Sequence, residues 1–170
     1  NKGVSLISEI KKASPSAGIL VKDFNHLNIA KTYIDNGATC LSVLTEEKYF
    51  LGKLNYILEI KKKFNIPVLA KDFFIDPYQI PLSKSFGCDC ILLIIAALDE
   101  NQADEIYKEA LKHDLSVIVE VTSTASTISA PISFTTSTGK LLIIPPSTNS
   151  FSSHSTGAKI VGSDNEALNA

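Results

Sequence analysis

The sequence predicts an α/β protein with at least five parallel strands, because short apolar runs alternate with amphipathic stretches over the first 121 residues. The fourth and fifth runs are almost continuously hydrophobic, which is typical of parallel strands covered on both faces. Successive runs end roughly 25 to 35 residues apart, the period of a strand and helix unit. The five runs occupy residues 4–10, 40–44, 67–71, 90–95 and 116–121.

The stretches between these runs carry apolar residues at helical spacing. Asn36-Gly37 is a helix stop signal after the first stretch, and Asp99 is a suitable cap before the third. The second stretch ends in Lys61-Lys62-Lys63, which we expect to be a solvated helix end. These three predicted helices cover residues 27–34, 54–60 and 103–111. Pro77 after the cap residue Asp76 predicts the first turn of a fourth helix.

Composition restricts the classes of partner. The 170 residues carry a net charge of −2 and 45% hydrophobic residues, and all 16 cations are Lys. This balance argues against nucleic acid or an anionic membrane as partner, since no basic excess is present to neutralise phosphates. No apolar run approaches the roughly 18 residues of a membrane span. The 3 Cys lack the partner spacing of a metal site and are expected to be reduced core thiols of a cytoplasmic protein.

Residues 122–170 differ in character from residues 1–121. Ser and Thr dominate the segment, and no charged residue lies between Glu120 and Lys140. We therefore predict the N-terminal portion of a domain over 1–121 and an atypical segment over 122–170, which is either a degenerate sixth strand or a truncated or misread remainder. Because the sequence contains no Met, we expect the chain to be a piece of a longer one.

Ionisable residues end three of the predicted strands. Glu9 and Lys11 share one side of the first strand, Lys71 ends the third and Glu120 ends the fifth. One such residue is equally compatible with simple surfacing at a loop. Three strands with complementary charges favour a site, because the carboxyl ends of parallel strands are where α/β proteins bind ligands.

The aromatic and histidine residues give weaker evidence for a functional site than the charged strand ends do. Phe50, Phe73 and Phe74 follow the second and third strands, where they serve either ordinary loop packing or the wall of a ligand site. His26 and His113, like the third histidine at position 154, have no partner spacing, and we expect all three at the surface.

Two runs are specific enough to indicate a family. Residues 9–16 read E-I-K-K-A-S-P-S, and residues 71–79 read K-D-F-F-I-D-P-Y-Q. Together with residues 44–50, 89–97 and 119–121, they resemble indole-3-glycerol-phosphate synthases over residues 4–121. The resemblance implies a (β/α)8 TIM barrel, of which this chain would cover about the first five to six βα units.

The resemblance also implies an activity. The family closes the indole ring of 1-(2-carboxyphenylamino)-1-deoxyribulose 5-phosphate in tryptophan biosynthesis, losing CO2 and water. The family uses no metal or organic cofactor. The partner that the resemblance implies is a small phosphorylated substrate. Other tryptophan-pathway enzymes are further partners that the resemblance suggests.

Each candidate residue takes a role from the resemblance. Lys71 resembles the general acid at the substrate's ketone oxygen, Glu120 the carboxylate that removes a proton in the dehydration, and Glu9 the residue that assists it and orients the lysine. Lys11 resembles the cation that meets the substrate's phosphate or carboxylate, with Ser14 nearby. The implied apolar wall for the aromatic ring consists of Phe50, Phe73 and Leu92.

The sequence also departs from the family pattern. Neither candidate sixth strand, at 140–144 or 157–162, continues into the family's N-N-R-N signature, and the phosphate-binding strands seven and eight are not found. A complete barrel needs at least about 200 residues. Two alternatives stay open: a non-catalytic barrel fragment that acts through chain association, and another phosphate-binding barrel such as phosphoribosylanthranilate isomerase. The latter family does not carry the Glu9, Lys71 and Glu120 set in this order.

Overall fold

The computed structural model describes residues 5–121, 141–144 and 158–161. The strands over these residues are β1 Ser5–Ile10, β2 Ala13–Ser14, β3 Gly18–Ile19, β4 Cys40–Leu44, β5 Val68–Lys71, β6 Cys90–Ile94, β7 Ser116–Glu120, β8 Leu141–Ile144 and β9 Ala158–Val161. The α-helices are α1 His26–Asp35, α2 Asn55–Lys63, α3 Gln79–Ser85 and α4 Glu100–Lys112. The five predicted strands and the four predicted helices are confirmed. The helix expected from Asp76 and Pro77 is α3, but it begins at Gln79 with Tyr78 at its N-cap position, so Asp76 is not its cap.

One sheet carries the fold, with the strand order β8-β7-β6-β5-β4-β1-β9. The five predicted strands β1, β4, β5, β6 and β7 are all parallel, as the alternation with helices requires. Their parallel register brings the carboxyl ends to one edge, where Leu44 pairs with Lys71 and Ile94 pairs with Glu120. This part of the chain is therefore a parallel α/β sheet whose strand ends share one edge.

The two candidate runs for a sixth strand take different places. β8 pairs with β7 in parallel register, from Val117 opposite Leu141 to Glu120 opposite Ile144, and so continues the parallel order. β9 pairs with β1 in antiparallel register and does not continue that order. The division into 1–121 and 122–170 stays a prediction, since the rest of the second segment lies outside the described residues.

Each parallel strand presents alternate residues to two different layers. The face toward the helices is mainly apolar and forms the main core with residues such as Val43, Val68 and Leu93. The opposite face, here called the inner face, holds a second cluster in which Leu69, Leu92 and Ile118 are 4%, 4% and 7% exposed. Because strand side chains alternate with a period of two, Lys71 continues the inner face beyond Leu69.

Helix ends follow the predicted signals. The Asp99 side chain accepts a hydrogen bond from the Gln102 backbone N–H, and the Gln102 side chain accepts one from Asp99 N–H, which completes a capping box for α4. α1 ends at Asp35, and Gly37 follows with a φ of 92°, a left-handed conformation that glycine adopts without strain.

Two surface expectations are each wrong at one residue. Lys62 and Lys63 are exposed at the end of α2 as predicted, and Lys61 is only partly exposed. Lys61 is not simply solvated, since its Nζ lies 2.9 Å from Asp89 Oδ2 and donates to the Ile66 carbonyl at 3.2 Å. The same Asp89 oxygen accepts the Val68 backbone N–H at 2.8 Å, so this lysine joins the end of α2 to the start of two strands.

His26 is the second correction. Its side chain is only 13% exposed, its Nε2 lies 2.6 Å from Glu59 Oε2, and its ring stacks on Tyr56 with centroids 4.3 Å apart. The contact joins α1 to α2 across 33 residues of sequence, which spacing alone does not reveal. His113 is partly exposed beside Glu109, and the third histidine lies outside the described residues.

The three cysteines are free thiols in apolar surroundings. Burial raises the pKa of Cys40 to about 11 and the pKa values of Cys88 and Cys90 to about 12. Among the described residues, no group of three or more His, Cys, Asp or Glu is placed to hold a metal ion. No helix of the described segments is long and apolar enough to cross a membrane.

We predict that Lys61→Met lowers the free energy of unfolding by about 1 kcal/mol, because it removes the ion pair to Asp89 and the hydrogen bond to Ile66. Urea unfolding followed by circular dichroism measures the change. Lys62→Met is the matched control, since Lys62 is exposed on the same turn and should stay within about 0.5 kcal/mol of the parent. Equal effects of the two substitutions would contradict the assigned contact.

Candidate active site

A cluster of three charged side chains lies at the carboxyl edge of the sheet. Glu9 Oε2 is 2.5 Å from Lys71 Nζ, and Glu9 Oε1 is 2.9 Å from Lys11 Nζ. Glu9 stands on β1 and Lys71 on β5, and β4 lies between them, so the contact spans two strand spacings. The Glu9 side chain is 13% exposed, against 24% for Lys71 and 31% for Lys11.

Opposing effects set the charge of Glu9. Burial by itself would raise its pKa, but the positive charges and hydrogen bonds of Lys71, and then of Lys11, outweigh burial and hold the pKa below the ordinary value of 4.5. Glu9 is therefore ionised at neutral pH. Two lysines and one carboxylate leave the cluster one formal positive charge, which suits an anionic ligand.

Glu120 ends β7 at the same edge of the sheet but belongs to a different part of it. It pairs with Ile94 of β6, which separates β7 from β5. Within the described residues, no hydrogen bond or ion pair joins Glu120 to Lys71 or Glu9. The structure thus brings Glu9, Lys11 and Lys71 together and places Glu120 two strands, or about 10 Å, along the edge from Lys71.

The three predicted wall residues occupy two levels. The rings of Phe50 and Phe73 lie 6.5 Å apart beyond the ends of β4 and β5, and Phe73 is 42% exposed. Leu92 lies deeper, on the inner face of β6 with Leu69 and Ile118. Phe74 is 3% exposed in the main core, so its role is ordinary packing.

An acidic side chain shapes the loop that carries Phe50. The Glu46 carboxylate accepts backbone N–H groups from Lys48, Tyr49 and Phe50 at 2.9, 2.7 and 2.9 Å. Burial would raise the pKa of Glu46, but these donors lower it overall. Gly52 closes the same loop, and a Cβ there would lie 2.2 Å from the Leu44 carbonyl oxygen, so only glycine fits.

Ser14 lies in the short β2–β3 hairpin that follows Lys11. Its Oγ accepts the Ala17 backbone N–H at 3.3 Å and so stabilises the turn. The neighbouring Ala13 N–H donates to the Phe50 carbonyl at 3.3 Å, which places the hairpin against the Phe50 loop. Ser14 therefore lies close to Lys11 along the chain, but the hydrogen bond described for its side chain is within the hairpin and not to the charged cluster.

Sequence reasoning missed two residues beside Lys71. Thr45 and Asp72 form a hydrogen bond of 2.6 Å at the ends of β4 and β5, and Thr45 is 4% exposed. Asp72 follows Lys71 directly, so its position within the K-D-F run was the available signal. Thr45 and Asp72 are 27 residues apart along the chain, and only the parallel pairing of β4 with β5 brings them together.

The arrangement combines three chemical capacities at one edge. Lys71 offers a proton donor beside a carboxylate, Lys11 adds a second cation, and the Phe50 and Phe73 rings supply apolar surface. Such a set suits a ligand that is both anionic and aromatic. The described residues therefore place an ammonium–carboxylate pair, a second cation and apolar surface at one edge, with Glu120 farther along it.

The parallel sheet and its carboxyl-edge site define an α/β-barrel protein. The crystal structure of 7,8-dihydropteroate synthase from Vibrio fischeri ES114 resembles this chain with a TM-score of 0.50 at 12% identity, over 69% of this chain and 45% of that one. A dihydropteroate synthetase structure with Product1 gives a TM-score of 0.50 at 14% identity, over 70% and 46%. At such identities the likeness concerns the fold alone.

Sequence comparison gives the family. The family model of indole-3-glycerol phosphate synthase matches residues 1–136, so the chain belongs to that family. The indole-3-glycerol phosphate synthase of Azospirillum brasilense is 53% identical over 68% of this chain and 44% of its own length. That of Zymomonas mobilis subsp. pomaceae is 47% identical over 71% and 46%. The chain thus matches a little under half the length of these relatives.

We predict that the Glu9 carboxylate titrates below 4.5 and that Lys71→Met raises its pKa, because burial then loses its main opposing charge. Carbon-13 NMR of the side-chain carboxyl measures both values. In the parent, the stabilisation from Glu9 is present above the ordinary glutamate range and is lost as the pH falls through the lowered pKa.

The control for this titration is Lys108→Met on α4, where Lys108 pairs with Asp104 at 2.6 Å. It removes one lysine charge elsewhere and should leave the Glu9 titration unchanged. A Glu9 pKa that is the same in the parent and in Lys71→Met would contradict the assigned ion pair.

Proposed function

We propose that this protein catalyses ring closure of 1-(2-carboxyphenylamino)-1-deoxyribulose 5-phosphate to indole-3-glycerol phosphate, with release of CO2 and water. The observation that carries the proposal is the Glu9, Lys71 and Lys11 cluster at the carboxyl edge of a chain from this family. The substrate is an anionic aromatic molecule, and it matches the charge and apolar surface of the site.

The proposed reaction begins with carbon–carbon bond formation. The ring carbon that bears the carboxylate attacks the ketone carbon, and Lys71 donates a proton to the ketone oxygen. Loss of the carboxylate as CO2 returns its bonding electrons to the ring and restores aromaticity. The second half is a dehydration: the new hydroxyl takes a proton from solvent and leaves as water, and the adjacent CH2 group loses a proton to Glu120, which completes the indole ring.

Glu9 supports both halves in this proposal. Its carboxylate holds Lys71 Nζ at 2.5 Å, which orients the proton donor. It also assists the later dehydration. The same carboxylate holds Lys11 at 2.9 Å, so Lys11 can meet the substrate's phosphate or carboxylate as a point charge. These steps require no metal or organic cofactor.

The binding roles follow from the two levels of the wall. Phe50 and Phe73 flank the place of the aromatic ring above the sheet, and Leu92 closes its floor. Ser14 belongs to the adjoining hairpin on the side of Lys11. We also propose that the protein acts in the cytoplasm and that its partner is this small phosphorylated substrate; the free thiols Cys40, Cys88 and Cys90 support a reducing compartment.

The direct test is product formation by the unsubstituted protein. The sequence contains no Trp, so indole fluorescence from the product has no tryptophan background. The proposal expects fluorescence to grow with equimolar CO2 release. Turnover of phosphoribosylanthranilate without decarboxylation would instead support the isomerase alternative, and absence of both activities would contradict the proposed function.

We predict that Lys71→Ala lowers kcat by about 10²- to 10⁴-fold, because the proton donor is removed, while fold and product affinity stay largely intact. Steady-state fluorescence, product titration and circular dichroism measure these quantities. Lys62→Ala, an exposed lysine substitution on α2, is the control and should keep full turnover. Unchanged turnover in Lys71→Ala would eliminate the assigned acid role.

We predict that Glu120→Gln lowers kcat by about 10²-fold or more and leaves the free energy of unfolding within about 0.5 kcal/mol of the parent. The reason is that the substitution removes a proton acceptor and nearly conserves shape. Glu105→Gln on the exposed side of α4 is the matched control. A loss of stability with normal turnover in the folded protein would assign Glu120 a structural role.

A further inference from the structure

Thr45 and Asp72 lie on the side of the sheet opposite the charged cluster. Lys71 continues the inner face, and strand alternation turns the next residue, Asp72, toward the helix side. There the Thr45 hydroxyl donates to Asp72 Oδ2 at 2.6 Å. Thr45 N–H also donates to the Lys71 carbonyl at 3.0 Å, so Thr45 contacts both residues of the Lys71–Asp72 peptide.

The second oxygen of Asp72 serves the other site residue. Asp72 Oδ1 accepts the Phe73 backbone N–H at 2.8 Å. The Phe73 carbonyl accepts a hydrogen bond from Gln79 Nε2 at 3.0 Å, so both backbone polar groups of Phe73 have partners. One carboxylate thus bridges the end of β4 to the residue that carries an aromatic ring of the site.

We propose that Thr45 and Asp72 form a positioning pair that fixes the backbone on both sides of Asp72, and with it the directions of the Lys71 and Phe73 side chains. The inference rests on the proposed function of those two residues. Thr45 and Asp72 themselves act through backbone contacts and do not touch the reacting atoms in this account.

Burial makes it unfavourable for Asp72 to be charged, so the presence of a carboxylate at this position needs an explanation. Burial raises its pKa, the hydrogen bonds from Thr45 and Phe73 only partly oppose that effect, and the charges of Glu46 and Glu47 raise it further. A neutral residue would avoid this cost. A carboxylate is needed because the Thr45 hydroxyl and the Phe73 N–H each donate to a different oxygen of Asp72. Asn offers only one oxygen, and its NH2 group would face one of these two donors.

The substitutions separate the hydroxyl from the shape of Thr45. Thr45→Val removes the hydroxyl and keeps the volume, Thr45→Ser keeps the hydroxyl, and Asp72→Asn removes one acceptor. Thr32→Val on exposed α1 and Asp104→Asn on exposed α4 are matched controls that make the same chemical changes away from the site.

We predict that Thr45→Val and Asp72→Asn each lower kcat by about 10- to 100-fold in protein that remains folded, because misplacement of Lys71 by a fraction of an ångström weakens proton transfer. Thr45→Ser should recover activity to within about threefold. The double variant should lower kcat no more than the worse single variant does, since both substitutions remove the same Thr45–Asp72 hydrogen bond. Additive losses, or normal kcat in folded Thr45→Val, would overturn the proposal.

A second readout does not depend on turnover. NMR measures hydrogen exchange of the Phe73 amide and the chemical shift of the Lys71 side chain in each variant. We expect faster exchange and a shifted Lys71 signal in Thr45→Val and Asp72→Asn, with Thr45→Ser close to the parent. If the unsubstituted protein forms no product, the proposed function fails. The NMR signals still test whether Thr45 and Asp72 position Lys71 and Phe73, and unchanged signals in the variants would overturn that proposal.

Discussion

Glu9 keeps its negative charge at a place where burial disfavours it, and the two lysines that compensate it depend on the parallel sheet. Lys71 reaches Glu9 because β1 and β5 flank β4 with their carboxyl ends at one edge. Lys11 reaches it because it lies two residues farther along the chain than Glu9 itself. If β5 shifted its register by one residue, its inner-face side chains would point toward the helices and the contact of Lys71 with Glu9 would be lost.

The alternation of side chains along each strand gives the two sides of the sheet different contents. Toward the helices, apolar residues such as Val43 and Val68 provide the main core, and Thr45 and Asp72 continue that side beyond the strands. Toward the inner face, Leu69 leads to Lys71. Residues that pack against the helices and residues of the charged cluster therefore alternate at the end of a single strand.

Much of this follows from local sequence. The apolar runs gave the five parallel strands, and the parity of Glu9, Lys11 and Lys71 placed them at one edge. The contacts that were missed all join distant residues through charge or hydrogen bonding: Lys61 to Asp89, His26 to Glu59 and Thr45 to Asp72. No periodic pattern encodes these partners, because each is set by strand register or helix packing. The role of Glu120 stays a prediction, because no hydrogen bond or ion pair among the described residues joins it to Lys71 or Glu9.

The most direct measurement of the central idea is an NMR titration of the isotopically labelled protein with indole-3-glycerol phosphate. If the compensated Glu9 carboxylate organises a single ligand site, signals from Glu9, Lys11, Lys71 and Phe73 will shift together and saturate at one equivalent. Signals from the outer surface of α4 will stay in place. Saturation without any change at Glu9 and Lys71, or shifts confined to another surface, would contradict the account.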